Sequence, residues 1–389
     1  MTQGFVVENA SVRRLDRSRV KRILFQLRLV SGLVLILYVL MHLTNLALGL
    51  HSIDAMEKAR HVLLFPWMSW PGVTLLTAAV LVHAGLGLMT LALRRSLTLS
   101  RTDWVQMCLG LITPPLVLNH VAVAGILHHL DPDFRPDYTF LLSVYWNLAP
   151  KSALQQVLVV MVVWVHGAIG LYSWLVLKPV WRRIGAFVTP VLFFVPILAL
   201  LGFVRGGKEA LAKLAADGHW QERMRHSLDI MAEARPMLDV LQTRILLIYG
   251  LLALVACAIL MLRILKRRRM RVGVTFETGQ RVAARPGLSL LEISLLNHIP
   301  HANICSGRGR CGTCLVAITS DPSVLTPVSA TEAQTLRRIQ AAPGQRLACQ
   351  AHLTHGSVEL VRLLPFHVDA AFLRESHPAI DTALPEQVR

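Results

Sequence analysis

Long apolar runs alternate with short polar segments over the first two thirds of the chain. Six of these runs reach the length of about 20 residues that an α-helix needs to cross roughly 30 Å of hydrocarbon. The pattern therefore predicts an all-α bundle of six transmembrane helices. The predicted spans are residues 28–50, 71–93, 105–127, 153–177, 185–204 and 243–264.

The pattern changes after Arg271 to that of a small soluble domain. Short alternating segments predict strands, and Thr278-Gly279 is typical of the turn between the first two. Ser289 and Glu292 have the spacing of a capping box, which predicts the start of a helix. The predicted strands are residues 272–276, 281–285, 315–319 and 357–363, and the predicted helix is 289–297.

These patterns divide the chain into four parts. The fold class is an all-α six-helix transmembrane bundle followed by a small α+β domain. The boundaries are residues 1–27 for a basic N-terminal segment, 28–265 for the membrane domain, 270–365 for the soluble domain and 366–389 for a tail to which no structure is assigned.

Composition supports a membrane protein. Of the 389 residues 54% are apolar and only 16% are charged, whereas soluble domains carry about 25% charged residues. This excludes a fully soluble or disordered chain. The net charge of +17 comes from Lys and Arg beside the apolar runs, which argues for membrane topology and against nucleic-acid binding.

The basic segments also predict the orientation of the spans. They follow the even-numbered spans and precede the first, so the positive-inside rule predicts that both termini are cytoplasmic. We expect a multi-pass protein of the bacterial inner (plasma) membrane. Residues 205–242 have mixed charges and an amphipathic pattern, which predicts a segment on the outer surface.

Four of the six cysteines lie close together near the C-terminus: Cys305, Cys311, Cys314 and Cys349. Three thiolates from one loop and a fourth from a distant position suit a [2Fe–2S] cluster. Gly307, Gly309 and Gly312 would let the backbone wrap around such a cluster and direct N–H groups at it. Zinc is the alternative, but structural zinc sites usually contain two C-x₂-C pairs. Cys108 and Cys257 are expected to be buried small apolar residues.

Four histidines lie within the first four predicted spans, one in each: His42, His83, His120 and His166. Ionisable side chains inside a membrane are costly and usually functional. At a rise of about 1.5 Å per residue, His42 and His120 lie about 12 Å below the outer edge, whereas His83 and His166 lie about 18–20 Å below it. Two matched pairs predict the axial ligands of two b haems.

Alternatives remain for these histidines. Each could bond a neighbouring helix, and His128 or His129 could replace His120 if the third span lies at a different depth. Five glycines near the histidines could leave room for a macrocycle or form ordinary small-residue helix contacts. They are Gly85, Gly87, Gly125, Gly167 and Gly170.

Residues 270–365 resemble a [2Fe–2S] ferredoxin with the β-grasp fold, with a cysteine spacing similar to the adrenodoxin type. The four-histidine arrangement resembles the dihaem cytochrome b anchor of succinate:quinone and fumarate reductases. Arg28 and Ser31 are similar to residues of that family's first helix that lie near the quinone. This resemblance implies a quinone site at Arg28 and Ser31.

Together, residues 20–365 resemble the six-span anchor and ferredoxin module of redox-sensing class III adenylate cyclases from bacteria. His42-Leu-Thr-Asn45 matches the His-x-x-Asn of that family. Only 24 residues follow Pro365, so a cyclase domain does not fit. The expectation is that a partner supplies the output or that the chain is a truncated product.

Three functions are open at this point. The first is electron transfer between quinone, two b haems and a soluble redox partner through the ferredoxin domain, as a possible component of a quinone-linked oxidoreductase. The second is redox sensing that controls a cyclase or another signalling effector, and the protein could act as a homodimer in either role. The third is a transporter, which would leave the ferredoxin domain without a role.

Overall fold

The computed structural model describes residues 2–94, 97, 100–131, 134, 136–176, 178–267 and 271–366. Side chains of residues 2–19, 21–22, 129–130 and 266–267 are outside this description. The predicted 366–389 tail lies outside it too, apart from residue 366.

Six long apolar helices dominate the N-terminal part, as the sequence predicts. Each has the length and composition to cross a membrane, which is consistent with a multi-pass membrane protein. The long helices are α1 (Thr2–Ala47), α4 (Trp70–Ala92), α5 (Arg101–Val121), α8 (Pro150–Leu175), α9 (Trp181–Ala216) and α10 (Gly218–Arg267), and the shorter ones are α2 (Ile53–Leu63), α3 (Phe65–Met68), α6 (Leu127–Leu130) and α7 (Tyr138–Ser143).

Serine side chains set the start of two of the long helices. Ser69 accepts a hydrogen bond from the Gly72 N–H before α4, and Ser100 accepts one from the Asp103 N–H before α5. Such caps satisfy N–H groups that have no partner within the helix. Because Ser100 ends the connection after α4, it fixes where α5 enters the bundle.

The helices extend further than the apolar runs that predicted them. The segment 205–242, expected as a separate surface segment, is helical but belongs to α9 and α10, with only Asp217 between them. Its apolar residues, Leu238 among them, pack in one cluster with Phe134 and Phe140. A helix keeps its hydrogen bonds after it leaves an apolar region, so the apolar run gives only a minimum length.

Within the bundle, α1 packs against α4 and α9, α5 packs against α8, and α10 packs against α4. Large apolar side chains on the outside of the bundle are exposed, as lipid contact requires; Leu247, Leu254 and Leu262 are examples. Cys108 and Cys257 are also exposed. The expectation that these two cysteines are buried is therefore wrong, since they lie on the outward-facing side of their helices.

The C-terminal part is a small domain with one mixed sheet, which confirms the α+β prediction. The five strands run in the order β2-β1-β5-β3-β4, with β1 parallel to β5 and the other neighbours antiparallel. The strands are β1 (Val272–Phe276), β2 (Arg281–Ala284), β3 (Leu315–Ile318), β4 (Gln345–Leu347) and β5 (Ser357–Arg362), and the helices are α11 (Leu290–Leu296) and α12 (Ala330–Arg338).

The predicted capping box is present at the start of α11. The Ser289 side chain accepts from the Glu292 N–H, and the Glu292 carboxylate accepts from the Ser289 N–H. Helix α12 and strand β4, by contrast, have no predicted counterpart. Both lie in the 34 residues between Cys314 and Cys349, where the hydrophobic pattern is irregular and β4 has only three residues.

Candidate cofactor sites

The four C-terminal cysteines are all buried around one loop of the soluble domain, residues 305–314, which is called the cysteine loop below. Their thiols form two couples: the sulfurs of Cys305 and Cys311 are 3.1 Å apart, and the Cys314 thiol is hydrogen-bonded to that of Cys349. Among the described residues, no three His, Cys, Asp or Glu side chains surround a single ion site. Two couples of sulfurs suit two metal ions that share bridging atoms.

The loop favours a thiolate at Cys305. A hydrogen bond from the Cys311 thiol, together with backbone N–H groups of residues 308, 310 and 311, lowers the pKa of Cys305 to about 5. The hydrogen bond with the Cys349 thiol, together with burial, raises the pKa of Cys314. An iron–sulfur centre needs all four thiols as thiolates. The positive charge of its metal ions must therefore stabilise the thiolates that the protein environment alone does not favour.

Glycine is required at two positions of this loop. Gly309 and Gly312 have φ values of +68° and +90°, which only glycine adopts readily. A Cβ at Gly309 would lie 2.9 Å from the Gln350 side chain, and a Cβ at Gly312 would lie 3.0 Å from Ile339. The predicted role of these glycines in wrapping the backbone agrees with this geometry.

Helix α12 and strand β4 support the loop from behind, although the sequence did not predict either. The Thr335 hydroxyl donates to the Gly309 carbonyl at 2.6 Å. Arg346, three positions before Cys349, makes a two-pronged ion pair with Glu332 at 2.8 and 3.0 Å. Glu332 is fully buried, and its carboxylate also accepts from the Leu347 N–H at 3.0 Å.

In the bundle, the structure brings the four predicted histidines together in the predicted pairs. The ring centroids of His42 and His120 are 5.9 Å apart. Those of His83 and His166 are 6.1 Å apart. An imidazole nitrogen lies about 2 Å from a metal that it binds, and the ring radius adds about 1 Å on each side. Two imidazoles that share one metal therefore have centroids about 6 Å apart, in agreement with both pairs.

Backbone carbonyls fix the orientation of His83 and His166, the pair predicted to lie deeper and called the inner pair below. The Nδ1–H of His166 donates to the Gln106 carbonyl at 2.9 Å, and the Nδ1–H of His83 donates to the Arg28 carbonyl at 3.2 Å. A carbonyl can only accept, so the proton is on Nδ1 and the lone pair of Nε2 is available for a metal. These carbonyls carry no sequence signal that could have predicted their role.

His42 and His120, called the outer pair below, have a different environment. The Nδ1 of His120 lies 3.4 Å from the Tyr145 hydroxyl. The His42 ring stacks on Tyr38 with centroids 5.8 Å apart, and its buried Nδ1 has no partner among the described residues. A π-helical turn begins two residues after His120, at Ala122–Ile126, and such turns are frequent at functional sites.

The glycines near the histidines fall into two groups. A Cβ at Gly167 would lie 2.5 Å from Ile36, and one at Gly170 would lie 3.0 Å from Gln106, so both are close helix contacts. Gly85 and Gly87 have nothing within 4 Å of an added Cβ, and at Gly125 only Val121 reaches 4.0 Å. The small-residue helix contacts that were one alternative thus apply to Gly167 and Gly170, whereas the other three glycines have open space around an added Cβ and Gly85 is exposed.

Two further glycines, which sequence reasoning missed, accommodate the inner imidazoles. A Cβ at Gly32 would lie 2.9 Å from Cε1 of His83, and a Cβ at Gly110 would lie 2.8 Å from Cε1 of His166. Each ring therefore packs against a helix backbone. The absence of a side chain at these positions is what lets the rings approach.

A cavity of about 2340 Å³ connects both histidine pairs and reaches Gly307 of the cysteine loop and Cys349. Small-molecule pockets usually have about 300–1,000 Å³, so this cavity has room for more than one large cofactor. Its walls are mostly apolar, and the helices that carry the histidines, α1, α4, α5 and α8, all line it. The residues present therefore fit two macrocycles held by paired imidazoles.

Arg28 and His128 also border this cavity, and Ser31 lies beside His83. Ser31 is buried; its hydroxyl donates to the Arg28 carbonyl at 3.1 Å and lies 3.4 Å from Nδ1 of His83. Arg28 donates to the Thr90 hydroxyl at 2.9 Å. His128, the alternative to His120, instead donates from Nδ1 to the Phe134 carbonyl at 2.9 Å.

The cysteine loop is docked on the start of α5. Arg308 forms an ion pair with Asp103 at 2.9 Å and approaches the Gln106 side-chain oxygen at 3.5 Å. The hydroxyls of Ser100 and Ser306 are 3.4 Å apart. Gln106 is thus in contact with the cysteine loop through its side chain and with His166 through its carbonyl.

The family model of the 2Fe-2S iron-sulfur cluster binding domain matches residues 275–354. All four C-terminal cysteines lie within this match. A search of curated proteins finds no match to the chain. The match supports a [2Fe–2S] cluster in the C-terminal domain and a role in iron–sulfur electron transfer with redox partners.

Proposed function

We propose that the protein is a membrane-bound electron-transfer protein in which two b haems connect a quinone pool to the C-terminal [2Fe–2S] domain. The observation that carries this proposal is the single cavity that joins two imidazole pairs, each with the separation of two ligands on one metal, to the cysteine loop. A structural role for the histidines would not require two such pairs along one cavity.

In the soluble domain, Cys305, Cys311, Cys314 and Cys349 would bind the cluster. The couples suggest that Cys305 and Cys311 serve one iron and that Cys314 and Cys349 serve the other. The cluster would supply one-electron transfer. The N–H groups around Cys305 stabilise negative charge on the sulfur, and burial of the loop keeps water away from it.

In the bundle, His42 and His120 would be the axial ligands of the outer haem, and His83 and His166 those of the inner haem. When bound, each haem would supply a one-electron centre within the membrane. The protein holds the inner imidazoles through the Gln106 and Arg28 carbonyls, which also raise the basicity of the ligating nitrogen. Ser31 and Arg28 lie beside His83, where a quinone could exchange electrons with the inner haem.

The orientation proposed from the basic segments puts the soluble domain in the cytoplasm of a bacterial cell, beside the inner membrane. The cysteine loop docks on α5 at the end of the cavity nearest His83 and His166, which supports placing the inner haem between the cluster and the outer haem. Electrons would then pass between cluster, inner haem and outer haem, in a direction set by the potentials of the donor and the quinone.

A redox titration of the purified full-length protein, followed by visible and EPR spectra, tests this function. We expect about two low-spin haems and one [2Fe–2S] cluster per chain. Reduction by a soluble low-potential donor, followed by oxidation with a quinone, should give turnover. A protein without haem would overturn the proposal. A cyclase that co-purifies, in the absence of turnover, would favour the redox-sensing role.

A further inference from the structure

Four arginines surround the end of the cavity where the cysteine loop meets the bundle. Arg28 and Arg94 come from the bundle, whereas Arg308 and Arg310 come from the loop between Cys305 and Cys311. All four are half-buried. The charge of Arg308 acts on each of the other three, so this is one cluster made by two domains.

Carboxylates only partly balance these charges. Asp103 pairs with Arg308 at 2.9 Å, and Glu292 is the other carboxylate of the described residues at this end of the cavity. Burial lowers the pKa of Arg94 in spite of the nearby Asp103 and Glu292. Two positive charges therefore remain without a carboxylate from the described residues.

The cysteine loop accounts for one of these charges. Arg310 lies close enough to Cys305 for the two charges to interact, and its guanidinium stacks over the Phe25 ring at 4.0 Å. Arg310 is thus placed to offset the negative charge of thiolates in the loop.

The charge of Arg28 is not balanced in this way. Its one side-chain hydrogen bond in the described structure goes to the Thr90 hydroxyl at 2.9 Å. The charged groups that act on it are Arg308 and Arg94, both positive. A half-buried guanidinium among like charges is costly unless an anion joins the site. The Arg28 carbonyl holds His83 at 3.2 Å, so an anion there would belong to a ligand beside the inner pair.

We infer that Arg28, together with Arg94 and with Arg308 of the cysteine loop, binds a carboxylate of the haem held by His83 and His166. The inference rests on the proposed function. It goes beyond it because the soluble domain then contributes directly to a haem site inside the bundle. Binding of the inner haem and docking of the cysteine loop would stabilise each other, since both use Arg308.

The first experiment changes the ligand. Full-length protein is produced in cells that cannot make haem and are supplied with haem b or with its dimethyl ester, in which both carboxylates are neutral. We expect the inner site to bind the diester at least about tenfold more weakly than the diacid, because charged hydrogen bonds are lost. Low-temperature spectra with His42→Ala and His83→Ala as references assign each signal to its site.

The second experiment changes the protein. Arg28→Gln, Arg94→Gln and Arg308→Gln should each weaken inner haem binding by about tenfold to a hundredfold. Arg337→Gln is the matched control, because Arg337 is an exposed arginine on α12 of the same soluble domain. The EPR signal of the cluster shows whether each variant has folded, and the outer haem serves as the internal reference.

The possible outcomes separate the alternatives. If diester and diacid fill the inner site equally, the inference is wrong although the proposed function stands. If the three variants change the cluster signal but leave inner haem binding unchanged, the arginines serve only the cluster and the inference is again wrong. If wild-type protein without haem binds phosphatidylglycerol but not phosphatidylcholine, and haem does not displace that lipid, the site belongs to lipid phosphate and the inference is wrong. A wild-type protein without haem would overturn the proposed function and this inference together.

Discussion

The soluble domain and the helical bundle assemble their candidate ligands in opposite ways. Three of the four cysteines come from residues 305–314 of one loop, whose backbone sets their positions. Each histidine pair joins two helices that are far apart in the sequence, so helix packing sets the distance between the rings. The loop site depends on local backbone conformation, whereas the bundle sites depend on close contacts between neighbouring helices.

This difference also appears in the interiors of the two regions. The soluble domain has a contiguous apolar core around its sheet, with Leu290, Val316, Leu347 and Val358 fully buried. The bundle has several smaller apolar clusters around a large cavity. A region with a continuous core should fold without its cofactor more readily than a region whose centre is reserved for one. Four changes test this comparison.

The largest effect is expected from Cys349→Ser. Loss of one thiolate ligand should abolish the [2Fe–2S] cluster, because the remaining loop cannot complete the coordination of the second iron. Both haem signals should remain, since the histidines belong to the bundle. Iron and labile sulfide analysis with EPR measures the result. Cys257→Ser is the control, and a normal cluster signal in Cys349→Ser would contradict the ligand assignment.

Histidine variants should each remove one haem and keep the cluster. His42→Ala and His120→Ala should affect the same haem, and His83→Ala and His166→Ala the other, so that each variant retains about one haem per chain. Haem content and low-temperature spectra report the pairing, and His128→Ala serves as the control. Two low-spin haems in all four variants would show that other groups bind the iron.

Glu332→Ala should destabilise the soluble domain by about 3–5 kcal/mol, because it leaves Arg346 as an unpaired charge in the interior. The cluster should be lost at a lower temperature, while the haem spectra stay unchanged. The thermal midpoint of the cluster absorbance measures the effect. Glu359→Ala, which changes an exposed carboxylate of the same domain, should shift that midpoint little.

Gly32→Ala tests the dependence of the bundle on close helix contacts. The added Cβ would lie 2.9 Å from Cε1 of His83, so the ring must move at a cost of about 1–3 kcal/mol. The inner haem should bind more weakly or change its spectrum, and the outer haem should not. Gly85→Ala is the matched control on α4, where an added Cβ meets nothing within 4 Å. Equal effects of the two variants would contradict this packing argument.

The soluble domain was the more predictable region. Local patterns that the fold preserves predicted the two ends of β1, the turn at Gly279 and the capping box at Ser289. The missing pieces, α12 and β4, are short and depend on tertiary contacts such as the Glu332–Arg346 pair. A buried glutamate carries no sign in the sequence of the arginine that will neutralise it.

In the bundle, the sequence predicted which helices are long and apolar enough to span a membrane and which histidines meet, because position along a helix follows directly from residue count. It did not predict the contacts that orient the rings. The Gln106 and Arg28 carbonyls are backbone atoms, and Gly32 and Gly110 act through a missing side chain. The docking of Arg308 on Asp103 joins residues of two domains, which hydrophobic periodicity does not address.

Gln106 has a consequence for how this molecule can be re-engineered. Its carbonyl holds His166 and its side chain meets Arg308 of the cysteine loop. The soluble domain is therefore not an interchangeable cassette, despite its own core. A hybrid that carried a foreign ferredoxin would keep the membrane part but lose the guanidinium against Gln106, unless the graft also carried an arginine between its first two cysteines.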